Sequence, residues 1–238
     1  MDKKNRIVVT GGTGRFGKVL QKHTGENYFF PSKKELDILN LTSVLKYLKK
    51  KKPKYLIHTA GLSRPMHLHE KNIRESIQLN IIGTANVVTV CSKLNIKIIY
   101  FSSSYVYPGL KGNYKETDPL LPSNNYSWSK LGGECAVQMY KNSLILRVSM
   151  TEKPFVHKSA FVNMISNFIF HKEFITIFKK IINKKGIINI GGKSQSVFNF
   201  AKKYNKKVKK SFLRNQSNFI VPLNSSMNLK KLHQIIRK

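Results

Sequence analysis

The sequence predicts a doubly wound α/β fold, with a parallel central sheet and a smaller lobe formed after about residue 150. The first observation is that short apolar runs alternate with longer amphipathic stretches, which is the pattern of a parallel sheet covered by helices. The second is that the first apolar run, Ile7-Val8-Val9, leads directly into a glycine-rich turn and then a helical pattern. At 238 residues the chain suits one domain with a small appended lobe.

We assign strands to the short apolar runs and helices to the stretches with helical periodicity. The predicted strands cover residues 7–9, 28–30, 55–60, 96–102, 143–147 and 186–190. The predicted helices cover about residues 14–23, 42–52, 71–94, 125–140, 161–183 and 197–204. Thr42 is a plausible N-cap of its helix, because a threonine side chain can accept a hydrogen bond from the first helical turn.

The strongly basic composition raises the question of an anionic partner. The formal net charge is +32, from 43 basic and 11 acidic residues. Only seven of the basic residues are Arg, the Lys residues are spread along the chain, and no nucleic-acid-binding motif is present. Proteins that read bases depend on Arg, so nucleic acid is the weaker alternative. We expect the charge to attract an anionic substrate or cofactor instead.

Cysteine usage and hydropathy favour a cytoplasmic protein without a membrane span. Cys91 and Cys135 each fall inside a predicted helix and form no disulfide framework and no metal-binding spacing. The most apolar later stretch, residues 161–170, is about half the length that spans a bilayer.

The segment His67-Leu68-His69-Glu70 contains potential metal ligands. No third ligand is apparent, so we predict no metal site and place these residues on the surface or on a substrate loop. Arg64 and His67 follow the predicted strand that ends at Ala60, and a substrate-loop role is the alternative for both.

The glycines of the first turn indicate a dinucleotide site. Gly11, Gly14 and Gly17 lie at three-residue spacing between a predicted strand and a predicted helix. In a Rossmann-type fold the first allows a tight turn, the second lets the backbone approach a pyrophosphate, and the third lets helix and strand pack closely. We therefore predict an NAD(P)-binding Rossmann domain over residues 1–150. Residues 151–238 are predicted to form a reduced substrate-binding lobe interleaved with the sheet.

The choice between NAD(H) and NADP(H) stays open on these residues. Asp37 is the only Asp in the region where an acidic residue would hold the ribose hydroxyls. Lys33 and Lys34 follow the second predicted strand and would suit a 2′-phosphate, which favours NADP(H) slightly. The alternative for both lysines is a solvated loop.

Tyr126 and Lys130 lie four residues apart and therefore share one face of the predicted helix over 125–140. Ser102-Ser103-Ser104 closes a predicted strand at the sheet edge where ligands bind in open parallel sheets. A cationic Lys favours the phenolate of a nearby Tyr, so that the Tyr can exchange a proton near neutral pH. A hydroxyl beside it can hold a carbonyl oxygen.

These residues lie in segments that carry a family resemblance. The chain resembles the extended short-chain dehydrogenase/reductases, and within them most closely the dTDP-4-dehydrorhamnose reductase-like sugar-nucleotide proteins. The matching segments are TGGTGRFG (10–17), LDI (36–38), HTAG (58–61), NIIGTAN (80–86), FSSSYVYPG (101–109), YSWSKLGGE (126–134), LILR (144–147) and VPLNSSMN (221–228).

The resemblance implies roles for individual residues. Tyr126 would be the general acid/base, and Lys130 would bind the nicotinamide ribose and lower the pKa of the Tyr. Ser103 would hydrogen-bond the substrate oxygen, with Ser104 close to the substrate. The cofactor-binding residues that the glycine turn and the resemblance indicate are Gly11, Gly14, Arg15, Phe16 and Gly17 at the pyrophosphate, Asp37 and Ile38 at the adenine, and Ala60, Gly61 and Asn80.

The function implied by this resemblance is that of an NAD(P)-dependent reductase or epimerase of nucleotide-activated sugars, as used in polysaccharide biosynthesis. A homodimer through the helices over 71–94 and 125–140 is expected from the family. The alternative is a catalytically inactive, NAD(P)-binding regulatory or scaffold subunit. The subgroup includes the regulatory subunit of methionine adenosyltransferase, and this chain is shorter than most members after residue 150.

Overall fold

The computed structural model describes residues 5–214 and 220–237. Its strands are β1 (Ile7–Thr10), β2 (Tyr28–Phe29), β3 (Tyr55–His58), β4 (Lys97–Ser103), β5 (Ser143–Val148), β6 (Met150–Thr151), β7 (Ser159–Phe161), β8 (Ile165–Ser166), β9 (Ile169–Phe170), β10 (Gly186–Ile190), β11 (Gln195–Ser196) and β12 (Lys209–Ser211). A six-stranded sheet has the order β10-β5-β4-β3-β1-β2, and neighbouring strands in it are parallel.

Helices cover both faces of this sheet. They are α1 (Arg15–Gln21), α2 (Leu41–Lys51), α3 (Leu68–Lys71), α4 (Ile73–Ile77), α5 (Gly83–Lys93), α6 (Asn125–Gln138), α7 (His171–Ile181), α8 (Val197–Tyr204) and α9 (Lys230–Arg237). A π-helical turn, Gln78–Ile82, joins α4 to α5, and a 3-10 turn, Ser104–Val106, follows β4.

Neighbouring residues of each buried strand point into different cores, because side chains alternate across a sheet. Val9 of β1 packs in the cluster that contains Phe16 and Phe174, on the side of α1 and α7. Val8 packs in the cluster that contains Val44 and Val87, on the side of α2 and α5. Apolar layers on both faces of a parallel sheet confirm the predicted doubly wound α/β fold.

The chain after β5 builds short strands and then returns to the central sheet. Strand β6 pairs with β9, β7 with β12, and β8 with β11. Ala160 of β7 and Phe170 of β9 share a further apolar cluster with Phe198 and Phe200 of α8. Strand β10 then becomes the edge of the central sheet beside β5.

The predicted helix over residues 161–183 is wrong in its first half. Only His171–Ile181 is helical, because the preceding residues form β7, β8 and β9. The Asn163 side chain accepts a hydrogen bond from the Leu213 amide at 2.8 Å and donates one to the Leu213 carbonyl at 2.9 Å. The Glu173 carboxylate accepts from the Phe170 amide at 3.2 Å, which fixes the start of α7. Partners distant in sequence thus override the local apolar pattern.

The predicted helix over residues 71–94 is confirmed over residues 73–93, which are helical without a break, but it begins two residues later and contains a π-helical turn. Asn72 leaves the helical conformation at φ −130° and ψ 68°, and its side chain caps α4 by accepting from the Glu75 amide at 3.1 Å. The π-helical turn then contains Asn80, whose buried side chain bonds to groups outside the helix.

The N-cap of α2 is Asn40 rather than Thr42, since the Asn40 side chain accepts from the Ser43 amide at 2.9 Å. We expect Asn40→Ala to lower the free energy of unfolding by about 1 kcal/mol. Thr42→Ala should change it by less than about 0.5 kcal/mol, because Thr42 is an exposed residue inside the first turn. Urea denaturation of both variants measures this difference. A larger loss in Thr42→Ala would contradict the assignment.

No helix in the described parts of the chain is both long and apolar enough to cross a bilayer. Cys91 lies buried in α5 and Cys135 is exposed on α6, and both are free thiols.

Candidate active site

A cleft of about 260 Å³ opens at the carboxyl ends of the central strands. The turn after β1 forms one wall, the loop after β3 another, and the start of α6 a third. Most of the predicted site residues line this cleft: Gly11, Gly14, Arg15, Phe16, Gly17, Ala60, Gly61, Ser103, Ser104, Tyr126 and Lys130.

The first and last of the three spaced glycines, Gly11 and Gly17, leave no room for a side chain. Gly11 has φ +76°, and a Cβ there would lie 2.6 Å from the Ala60 nitrogen. A Cβ at Gly17 would lie 2.5 Å from the Gly11 oxygen. A Cβ at Gly14, in contrast, would meet only the Gly11 oxygen within 4 Å, at 3.1 Å. The backbone at Gly14 therefore borders open space in the cleft, a geometry that fits a dinucleotide pyrophosphate.

Asp37, Ile38 and Asn80 lie outside the lining of the cleft. Asp37 accepts from the Leu39 amide at 3.0 Å, and Ile38 is buried in the core between the sheet and α2. The Asn80 side chain accepts a hydrogen bond from the Leu62 amide at 2.7 Å and donates one to the Leu62 carbonyl at 2.9 Å. It therefore holds the loop after β3, and the cofactor-binding roles of these three residues stay predictions.

Ser103, Tyr126 and Lys130 meet on the cleft wall where β4 ends and α6 begins. Asn124 caps α6 by accepting from the Ser127 amide at 2.9 Å, which places Tyr126 in the first turn. The Lys130 ammonium lies 4.3 Å from the centre of the Tyr100 ring. The Ser103 side chain faces the Tyr126 phenol and acts to lower its pKa.

Burial has the largest effect on the pKa values of Tyr126 and Lys130. It raises the pKa of Tyr126 above its usual value, against the opposing effects of Ser103 and of the Arg64 charge. It also lowers the pKa of Lys130 to about 7, although the Glu134 charge acts in the other direction. The lowering of the Tyr126 pKa by Lys130, which the family resemblance implies, stays a prediction. At neutral pH Tyr126 keeps its proton and is suited to donate it.

Beneath the cleft, Glu134 and Arg147 form a buried ion pair with an N···O distance of 2.6 Å. Ser102 donates to the same carboxylate at 2.5 Å, and Arg147 donates to the Tyr107 hydroxyl at 2.8 Å. Glu134 lies four residues after Lys130 on α6, so the pair supports the site from below. Sequence reasoning missed this pair, because Glu134 on α6 and Arg147 on β5 have no spacing that predicts their contact.

An ion bridge at the cleft also escaped sequence reasoning. The Glu152 carboxylate lies 3.3 Å from Arg15 Nε and 3.4 Å from Arg64 Nη1. It thereby connects the glycine turn with the loop after β3. Arg64 was a candidate for this loop, whereas Glu152 belongs to no motif and is brought here only by the fold.

The position of His69 differs from the prediction, which put it on the surface or on a substrate loop. Its side chain is fully buried, and its ring centre lies 5.1 Å from that of Tyr126. His67 is exposed. Among residues 5–214 and 220–237, no group of three or more His, Cys, Asp or Glu side chains could hold a metal ion.

Comparison with known proteins gives a family match. The family described as RmlD substrate binding domain matches residues 5–180. The chain is 30% identical over 154 residues to methionine adenosyltransferase 2 subunit beta of Xenopus laevis, covering 60% of this chain and 46% of that protein. It is 30% identical over 152 residues to dTDP-4-dehydrorhamnose reductase of Aggregatibacter actinomycetemcomitans, covering 61% and 51%. The chain thus spans about half the length of the curated relatives it matches.

Solved structures share the whole fold. A dTDP-4-dehydrorhamnose reductase from Bacillus anthracis, solved in complex with NADP, has a TM-score of 0.87 at 24% identity, with 97% of this chain and 92% of that chain covered. The enzyme WbmG of Bordetella bronchiseptica, in complex with NAD and UDP, has a TM-score of 0.77 at 15% identity, with 96% and 87% covered. At these identities the likeness establishes the fold.

Proposed function

The chain belongs to the RmlD substrate binding domain family, and on this basis we propose that it is an NAD(P)-dependent reductase or epimerase of nucleotide-activated sugars. The observation that carries the proposal is the meeting of Ser103, Tyr126 and Lys130 in one cleft with the glycine turn. A proton donor, a hydroxyl and a cation beside a backbone that fits a pyrophosphate support this function.

The chemistry divides between cofactor and protein. A bound nicotinamide dinucleotide would supply or accept a hydride at a carbon of the sugar ring. Tyr126 transfers the proton at the oxygen on that carbon, as the general acid in the reductive direction. Ser103 hydrogen-bonds the same oxygen, and Ser104 contacts the substrate beside it. Lys130 holds the nicotinamide ribose.

The remaining cofactor contacts involve residues on the walls of the cleft and, at the adenine, residues outside its lining. Arg15 and Phe16 border the pyrophosphate together with the glycines, and Asp37 and Ile38 flank the adenine. Ala60, Gly61 and the Asn80-supported loop complete the nicotinamide side. Lys33 and Lys34 are exposed after β2, which supports NADP(H) over NAD(H) as the dinucleotide.

Larger-scale features complete the proposal. Residues 151–238 supply the substrate-binding lobe beside a dinucleotide-binding domain over residues 1–150. Exposed Ile73, Ile77 and Trp128 on α4 and α6 support a homodimer through these helices. The free thiols support a cytoplasmic location.

Dinucleotide binding is expected to weaken as the pH rises through about 7. Below its pKa of about 7 Lys130 is a cation that attracts the anionic dinucleotide, and above it this attraction is lost. We expect the Kd for NADPH to rise roughly 3- to 10-fold between about pH 6 and 8, measured by fluorescence titration. Lys130→Met should bind more weakly at pH 6 and show a flatter profile. The same rise in Lys130→Met would refute this assignment.

A direct test of the function uses NADPH, NADH and 4-keto sugar nucleotides such as the dTDP-4-keto sugars. The purified chain is expected to oxidise NADPH only when a sugar nucleotide is present, and Ser103→Ala should slow the reaction. Absence of turnover and of epimer formation on a panel of dTDP-, UDP- and GDP-sugars would overturn the proposal.

The second candidate is a catalytically inactive regulatory or scaffold subunit that binds NAD(P). The similarity to methionine adenosyltransferase 2 subunit beta favours it. A stoichiometric partner captured from cells, together with dinucleotide binding and no turnover, would support this candidate over the enzyme.

A further inference from the structure

The short helix α3 docks on the first turn of α6, the helix that carries Tyr126. The Glu70 carboxylate accepts from the backbone amide of Asn125 at 3.0 Å and from its side-chain amide at 2.5 Å. A carboxylate at a helix N-terminus binds unpaired amides and is favoured by the helix dipole. The residue before it, His69, is thereby held against the start of α6.

The His69 ring forms one side of the Tyr126 environment. The two ring centres are 5.1 Å apart and the ring planes meet at 72°. On another side the Tyr105 ring lies 6.2 Å from Tyr126 at 84°. His69 Nδ1 and Ser76 Oγ are hydrogen-bonded at 2.7 Å, and both residues are buried. Ser76 on α4 therefore fixes the rotation of the His69 ring, which in turn limits the rotation of Tyr126.

The polar character of His69 lowers the stability of its surroundings. Its Nε2 is buried and has no hydrogen-bond partner in the described part of the chain. A buried polar atom without a partner is destabilising relative to an apolar group of the same shape. Burial and the Lys130 charge lower the pKa of His69 to about 4, so the ring is neutral at pH 7. A neutral ring avoids placing another cation beside Lys130.

We propose that His69 is a positioning residue, which holds the phenol ring of Tyr126 while Ser76 sets the plane of the His69 ring. The segment that leads into α3 also lines the cleft, through Leu62, Ser63 and Arg64. The loop between β3 and α3 therefore borders the cleft and also leads into the residue that holds the Tyr126 ring. The effect on turnover rests on the proposed function, whereas the effect on the Tyr126 ring does not.

The experiment compares Ser76→Ala and His69→Leu with Glu75→Gln, an exposed neighbour on α4, as the matched control. Ser76→Ala frees the His69 ring, and we expect kcat to fall about 3- to 10-fold. His69→Leu removes the ring, and we expect a fall of about 10- to 100-fold. The KM for NADPH should change less than about two-fold in both, because neither residue lines the cleft. Glu75→Gln should behave as wild type.

Carbon-13 NMR of labelled tyrosine supplies a readout without turnover. The Tyr126 signal, assigned by its loss in Tyr126→Phe, should shift or broaden in Ser76→Ala and stay unchanged in Glu75→Gln. A shifted signal in a chain without turnover would support the positioning role and overturn only the proposed function. An unshifted signal with wild-type kcat in Ser76→Ala would overturn the inference, even if His69→Leu fails to fold. A loss of kcat that only parallels losses of Tm and NADPH affinity would also overturn it.

Discussion

Replacing Tyr126 with Phe is expected to lower kcat by roughly 10²- to 10⁴-fold, the range that a positioned general acid contributes. The substitution removes the phenolic proton and keeps the ring that packs against His69 and Tyr105. Because burial keeps the phenol protonated at neutral pH, the wild-type protein has a proton available for the transfer that we propose. The Kd for NADPH should change less than about two-fold, since only a hydroxyl is lost.

Tyr140→Phe is the matched control for this prediction. Tyr140 follows α6, and its hydroxyl donates to the Cys91 carbonyl at 3.4 Å, away from the cleft lining. Its loss should leave kcat and Kd unchanged. Stopped-flow measurement of NADPH oxidation under single-turnover conditions separates chemistry from product release. Single-turnover rates in Tyr126→Phe that equal those of wild type would show that another group moves the proton.

Breaking the buried ion pair is expected to have the largest effect on stability. In Glu134→Gln the guanidinium of Arg147, which is only 2% exposed, loses its counter-charge. Removing one partner of a buried pair typically costs about 3–5 kcal/mol, because the other charge stays buried and uncompensated. Urea denaturation of the variant should show this loss as a lower midpoint with an unchanged slope.

A double substitution separates the charge from the packing. Glu134→Leu combined with Arg147→Met removes both charges, and we expect the double variant to be more stable than Glu134→Gln. Lys111→Met serves as the exposed control, because Lys111 is 70% exposed in its pair with Asp118 and should cost less than about 1 kcal/mol. A loss in Glu134→Gln no larger than in this control would contradict the prediction.

The parts of the site that the sequence predicted are those that depend on local geometry. Gly11, Gly14 and Gly17 are read from one turn, and Tyr126 and Lys130 from one turn of helix. Ser103 follows from the rule that ligands bind where parallel strands end. Each inference needs only the position of a residue within its own element, which periodicity supplies.

The parts that the sequence did not predict depend on pairs of residues distant in the chain. Glu152 forms ion pairs with Arg15 and Arg64 across the cleft, and the distances between these residues along the sequence do not predict such a bridge. The sequence predicts His69 on the surface or on a substrate loop because two His residues at i and i+2 on a loop are most often found there, whereas α6 covers it in the fold. The helix over 161–183 was overextended because apolar residues in short strands and in helices look alike over a few positions.

The double contact between Asn80 and Leu62 has a consequence for changing substrate preference. The side chain of Asn80 forms hydrogen bonds with both the amide and the carbonyl of Leu62, as the backbone of a neighbouring strand would. The loop after β3 is therefore anchored where it leaves the sheet. Burial of His69 anchors its other end. Ser63, Arg64 and Met66 project between these anchors into the cleft. A combinatorial library at these three positions would therefore vary the cleft-lining surface of a loop whose ends stay in register with α6.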